Sequence, residues 1–123
     1  MDTSKAYIKM CDCPEIQDKD MGGLYMFNHG PVKGRLYWSD TEIGKSADVD
    51  IWLPRQDQIQ EMLFPSLEEM QLSIIEMIEE FDVFVMETNL ANEALGSMEQ
   101  LWLAFYMHEK YQKIWNGKKW TKE

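Results

Sequence analysis

From residue 54 onward the apolar positions recur at spacings of three and four; before it only the opening segment shows them. PRQDQIQEMLF puts Ile59, Met62 and Leu63 on one side of a helix. Asp57 falls in its first turn, where exposed backbone N–H groups favour negative charge. Pro65 breaks that helix, and Ser66 with Glu69 forms a capping-box pattern for the next. Leu67, Met70, Ile74, Met77, Phe81 and Phe84 then make one stripe, with Glu69, Glu76, Glu80 and Glu87 opposite it. This helix is expected to end between residues 88 and 95, with Gly96 as a natural stop. Ser97 and Gln100 repeat the capping pattern at the head of SMEQLWLAFYMHEKY. Here Met98, Leu101, Trp102 and Phe105 form one apolar side, while Leu103, Met107, Tyr111 and Ile114 form another. A helix apolar on two sides is expected to be buried on two sides, with the acidic helix on one flank and the sheet or first helix on the other. The WNGK stretch at 115–118 signals a turn, and Trp120 is expected to fold back onto the body.

Before residue 54 the pattern differs. TSKAYIKMC reads as a short helix capped by Thr3, with Tyr7, Met10 and Cys11 on one side. Cys13-Pro14 interrupts it, because a residue before proline leaves the α region. Pro14 can then open a further turn, which Gly22-Gly23 ends. Three stretches have strand character, at 24–27 (LYMF), 34–38 (GRLYW) and 48–53 (DVDIWL), joined by links rich in turn residues. In the last, Val49, Ile51 and Leu53 alternate with Asp48, Asp50 and Trp52, as in a strand with one face on the core and one in water. The expected fold is α+β: a small antiparallel sheet of about three strands packed with three to four helices, the C-terminal helix central. As a single domain it divides into an N-terminal helical segment (1–20), a small β meander (24–53), helices (54–114) and a basic tail (115–123).

Composition narrows the picture. A chain of 123 residues with 45% hydrophobic and 28% charged residues can offset its ordering entropy with one core. Its longest apolar run falls far short of the roughly 20 residues a membrane helix needs, and the opening MDTSKAYIKMCDC lacks the apolar region of a secretory signal. Two cysteines one residue apart make no disulfide framework and fit a reducing cytoplasm. The net charge of −10 is uneven: residues 1–55 carry −2, residues 56–109 carry −12 with no Lys or Arg, and residues 110–123 carry +4. An acidic middle argues against direct nucleic-acid binding, which relies on cations at phosphates. The five terminal lysines complement the acidic face, within one chain or between chains of a homo-oligomer.

Candidate chemistry is sparse. Cys11, Cys13, His29 and His108 have ligand types that zinc accepts, but not the paired spacing of a zinc site; the plainer reading packs Cys11 as a small hydrophobe. Glu76, Glu79 and Glu80 share a polar helix face with no His or Arg beside them, as a solvated face would. His108-Glu109 lacks the second histidine of a zinc-protease helix, and no catalytic-triad order, phosphate loop or nucleotide fingerprint is present. No cofactor is expected. The methionines Met62, Met70, Met77 and Met98 sit at core spacings. The best site candidate is the strand-to-helix corner, where Trp52, Arg55, Gln56, Asp57 and Gln58 combine an aromatic, a guanidinium, two amides and a carboxylate. Its plainer reading has Arg55 paired with a nearby acid and Asp57 serving the helix N-terminus.

WLPRQDQIQEML (52–63), SMEQLWLAFYMHEKY (97–111), IWNGKKW (114–120) and DTSKAYIKMC (2–11) resemble segments of small, uncharacterised phage and prophage proteins of bacteria. The resemblance implies a viral or mobile-element origin and brings no catalytic residues with it. The function expected is that of a non-enzymatic accessory protein binding a protein partner, with Trp52 and Arg55 as anchors, since interface energy concentrates in such residues. The rivals are an acidic DNA mimic that inhibits a host DNA-binding protein or nuclease, and a small metal-dependent enzyme.

Overall fold

A computed structural model of the chain describes residues 1–63, 74–88 and 95–122. It has the expected α+β architecture. The chain divides into two compact units, one of residues 1 and 3–55, the other of residue 2 and 56–123.

In the first unit, α1 (Lys5–Cys11) begins one residue later than Thr3 would dictate. Ser4 is the cap, its hydroxyl accepting from the Tyr7 N–H at 3.2 Å. Tyr7, Met10 and Cys11 are buried as their spacing requires. Pro14 starts the single turn of α2 (Pro14–Gln17), with Cys13 as its cap. The strands are β1 (Gly23–Met26), β2 (Leu36–Ser39) and β3 (Ile51–Leu53).

All pairing is antiparallel, but the order is β2-β1-β3, so this is not a meander. After β2 the chain passes to the free side of β1, and Leu24, Tyr25 and Met26 pair with Leu53, Trp52 and Ile51. Alternation in the third strand also fails to hold. Ile51, Trp52 and Leu53 are all buried, Asp50 is buried too, and Val49 is exposed. Both faces of β3 are therefore covered, and a strand covered on two faces needs no polar side. Gly22 is required where it stands: at φ 84° an added Cβ would lie 2.8 Å from the Thr41 backbone nitrogen.

In the second unit, α3 (Gln56–Leu63) buries Ile59, Met62 and Leu63. The acidic helix is α4 (Ile74–Thr88), and the C-terminal helix is α5 (Met98–Tyr111). The break at Pro65, the capping pair Ser66 and Glu69, and the core positions Leu67 and Met70 lie outside the described residues. Both α3 and α4 pack on α5. Phe81 stacks on Trp102 with ring centroids 3.9 Å apart, and Phe84 meets Phe105 at 5.3 Å. Every residue from Trp102 to Met107 is buried, so this stretch of α5 is apolar all round because it is covered all round, whereas Met98 at the head of the helix is exposed rather than a core position.

The Ser97 cap forms, its hydroxyl accepting from the Gln100 N–H at 3.1 Å, while the Gln100 side-chain oxygen accepts from the Gly96 N–H at 3.1 Å instead of closing the box on Ser97. Asp2 completes the cap: one carboxylate oxygen takes bonds from Ser97 Oγ (2.6 Å) and Gln100 Nε2 (2.7 Å), placing negative charge at the helix N-terminus.

The helix stops at Tyr111, because Gln112 adopts a left-handed conformation at φ 53°. Ile114 is therefore not a helical core position. It lies in β4 (Lys113–Trp115), which pairs with β5 (Trp120–Lys122). The basic tail is thus a hairpin around Asn116-Gly117, closed by the Trp115–Trp120 ring pair at 5.0 Å. No helix among the described residues is long and apolar enough to cross a membrane.

Candidate functional site

The strand-to-helix corner falls at the boundary between the units, so its residues divide. Trp52 and Arg55 belong to the first unit; Gln56, Asp57 and Gln58 open α3 in the second. Trp52 is fully buried, its indole N–H donating to the Gly22 carbonyl at 2.9 Å. It cannot present its ring to a partner, which corrects the expectation that it anchors one. Gln58 is buried as well, Gln56 is half-buried and Asp57 is exposed in the first helical turn. Arg55 is half-buried, with its guanidinium 5.6 Å from the ring centre of a different tryptophan, Trp38, which is 65% exposed.

The most elaborate polar cluster of the first unit surrounds Asp50, which sequence patterning had placed on a water face. Its side chain has no exposure. One carboxylate oxygen accepts from the Asn28 N–H (2.9 Å) and from His29 Nδ1 (2.7 Å). The other accepts from the Tyr37 hydroxyl (2.7 Å) and the Ala47 N–H (3.2 Å). Burial alone would raise the Asp50 pKa, but the donors from Asn28, Tyr37 and His29 outweigh it and hold it below the ordinary 3.8. Burial and the adjoining carboxylate push the Tyr37 phenol up to about 12. An ionised Asp50 only accepts, so Nδ1 of His29 is the donor in this bond and Nε2 points away from the carboxylate. That is the orientation of a general base. Among the described residues, however, no hydroxyl or thiol is hydrogen-bonded to His29, and Asp50 acts as a clamp joining residues 28–29 to the loop before β3.

The four sulfur and imidazole candidates do not assemble. Cys11 is buried, Cys13 Sγ lies 3.7 Å from the Met10 carbonyl, and His29 is engaged by Asp50. His108 belongs to the second unit, its ring 5.1 Å from Phe84 and its Nδ1 3.5 Å from Glu109. No group of three potential metal ligands gathers among the described residues.

Between α4 and α5 the second unit has a groove of about 800 Å³ lined by Glu76, Glu79, Glu80, Val83, Phe84, Glu87, His108 and Glu109. The helical period explains it: Glu76, Glu80, Val83 and Glu87 follow one another at spacings of three and four beside the buried Met77 and Phe84. Further round α4, Ile75, Ile78 and Met86 are exposed.

Comparisons with protein-family models, curated proteins and solved structures find no match.

Sequence reading therefore located the carboxylates of the groove but treated them as a plain solvated face, because a stripe on one helix does not reveal the neighbour that turns it into a wall. It missed Asp50 for a similar reason. A lone aspartate in an alternating run looks solvated until Asn28, His29 and Tyr37 are brought to it by β-pairing. The turn residues near Asn28 and Ala47 were the only available signal.

Proposed function

We propose that the chain is a non-enzymatic protein-interaction module, an accessory protein of a phage or prophage working in the bacterial cytoplasm, and that its α4–α5 groove receives a basic polypeptide segment of a partner protein. The observation that supports this is the pairing of five carboxylates, from Glu76, Glu79, Glu80, Glu87 and Glu109, with the apolar surface of Val83 and Phe84 in one groove. Residues 56–109 hold twelve acidic residues and no Lys or Arg, so the groove lies in a strongly negative stretch of the chain. A segment bearing lysine or arginine can lay its aliphatic stems on Val83 while its charged ends meet the glutamates. The acidic field speeds capture, and burial at the apolar floor slows release.

A DNA mimic uses the same carboxylates, which keeps it as the second reading. The apolar floor and the exposed Ile75, Ile78 and Met86 favour a polypeptide, since phosphate mimicry calls for charge along an extended polar surface.

The test is calorimetric titration with a synthetic lysine-rich amphipathic peptide, in low and high salt. Binding is expected to weaken about tenfold in a Glu76→Gln/Glu80→Gln variant and comparably in Val83→Ser, with partial retention in high salt. Absence of binding, or binding indifferent to all three changes, overturns the reading. Competition with DNA for a basic DNA-binding protein, lost steeply with salt, would shift the case to mimicry.

A further inference from the structure

Among the described residues the first unit leaves one strand edge open, and that edge is arranged to match itself. Of the two outer strands, β3 is already covered. The Gln17 side-chain amide accepts from the Trp52 N–H at 2.8 Å and donates to the Trp52 carbonyl at 3.0 Å, as a neighbouring strand would. Because Trp52 turns its backbone groups outward, its partner Tyr25 turns its own toward β2, where it faces Tyr37. Alternation then points the N–H and C=O of Leu36 and Trp38 away from the sheet. The Phe27 N–H bond to the Arg35 carbonyl, at 2.8 Å, fixes the same phase. These two residues also carry exposed side chains on one face, Leu36 at 42% and Trp38 at 65%. An edge strand with outward backbone groups and an exposed aromatic is a template for pairing.

We propose that β2 pairs antiparallel with β2 of a second copy of this chain, across a two-fold axis at Tyr37. In that register Leu36 faces Trp38 of the second copy and Trp38 faces its Leu36. Each pair exchanges two backbone hydrogen bonds and sets an aliphatic side chain beside an indole. Charge selects this occupant and this direction. The strand is preceded by Lys33 and Arg35 and followed by Asp40 and Glu42, all exposed. Antiparallel self-pairing sets the basic end of each copy against the acidic end of the other, whereas parallel pairing would set like charges together. Such a contact is self-complementary, and it joins the two sheets into one of six strands. It lies in the first unit and is independent of the α4–α5 groove.

Sedimentation velocity on the full chain across a wide concentration range tests this, together with hydrogen exchange at the Leu36 and Trp38 amides. The expected result is a concentration-dependent dimer in which both amides become protected as the dimer forms. Leu36→Pro removes an outward N–H without touching the β1 pairing, and Trp38→Lys adds charge at an exposed position; each should give a monomer with an unchanged far-ultraviolet spectrum. If Leu36→Pro alters the fold, Trp38→Lys decides. A wild-type monomer at every concentration, or a dimer that survives Trp38→Lys with the two amides unprotected, overturns the proposal.

Discussion

Residues 3–55 and residues 56–122 fill their interiors by different chemistry. The sheet unit is organised by hydrogen-bonded polar groups: the buried Asp50 with four donors, the half-buried Gln17 on the Trp52 backbone, and the half-buried Asp20 accepting from Tyr25 and the Gly22 N–H at 2.7 and 2.8 Å. The helical unit is built around stacked rings, with Phe81, Phe84, Trp102 and Phe105 in mutual contact. Short strands and long links supply little contiguous apolar surface, so directional bonds must set the strand order. A two-sided apolar helix supplies ample surface, and its partners need only present rings. The lesson is that one small acidic chain can leave the carboxylates of α4 exposed in one unit and use a buried carboxylate as the organising centre of the other.

Breaking each interior should show the difference. The largest loss is expected for Phe105→Ala, about 4 kcal/mol in denaturant unfolding, because it removes a fully buried ring touching three others. That loss should be nearly independent of pH. Asp50→Asn is expected to cost about 2–3 kcal/mol, since an amide nitrogen in place of one oxygen cannot accept from the Tyr37 hydroxyl or the Ala47 N–H.

Its pH dependence sharpens the contrast. The folded pKa of Asp50 is lowered, so its contribution is fully present above the unfolded value near 3.8 and is lost as pH falls through the folded one. Wild type should therefore lose stability on acidification more steeply than Asp50→Asn. Gly22→Ala should cost about 1–3 kcal/mol, from positive φ and the close Thr41 nitrogen. Ser97→Ala should cost about 1 kcal/mol, by removing a cap that Asp2 also uses.

Helices were more legible in the sequence than strands, for a physical reason. The period of α4 and α5 is local, so Met77, Phe84, Trp102 and Phe105 could be placed in the core from spacing alone. Capping at Ser97 was legible for the same reason, whereas the share of that cap taken by Asp2 depends on a residue far away in the chain. The stop at Gln112 was hidden because a glutamine in a left-handed conformation has no distinctive signature, and with it the hairpin of β4 and β5 was read as a tail. In the sheet, the existence of three strands followed from residue type. Their order and the burial of Trp52 did not, because these depend on which strand crosses to the far side of β1. The expected Trp52–Arg55 pair accordingly became Trp38 with Arg55, an exposed ring that only the folded sheet brings beside the guanidinium.

The α4–α5 groove as a docking face for a basic polypeptide is tested most directly by following amide resonances of the full chain during titration with the lysine-rich peptide. The account predicts shifts concentrated at Glu76, Glu80, Val83, Glu87 and Glu109, with Tyr25, Tyr37 and Trp52 unmoved. Shifts centred on the sheet residues, or none at saturating peptide, would contradict it.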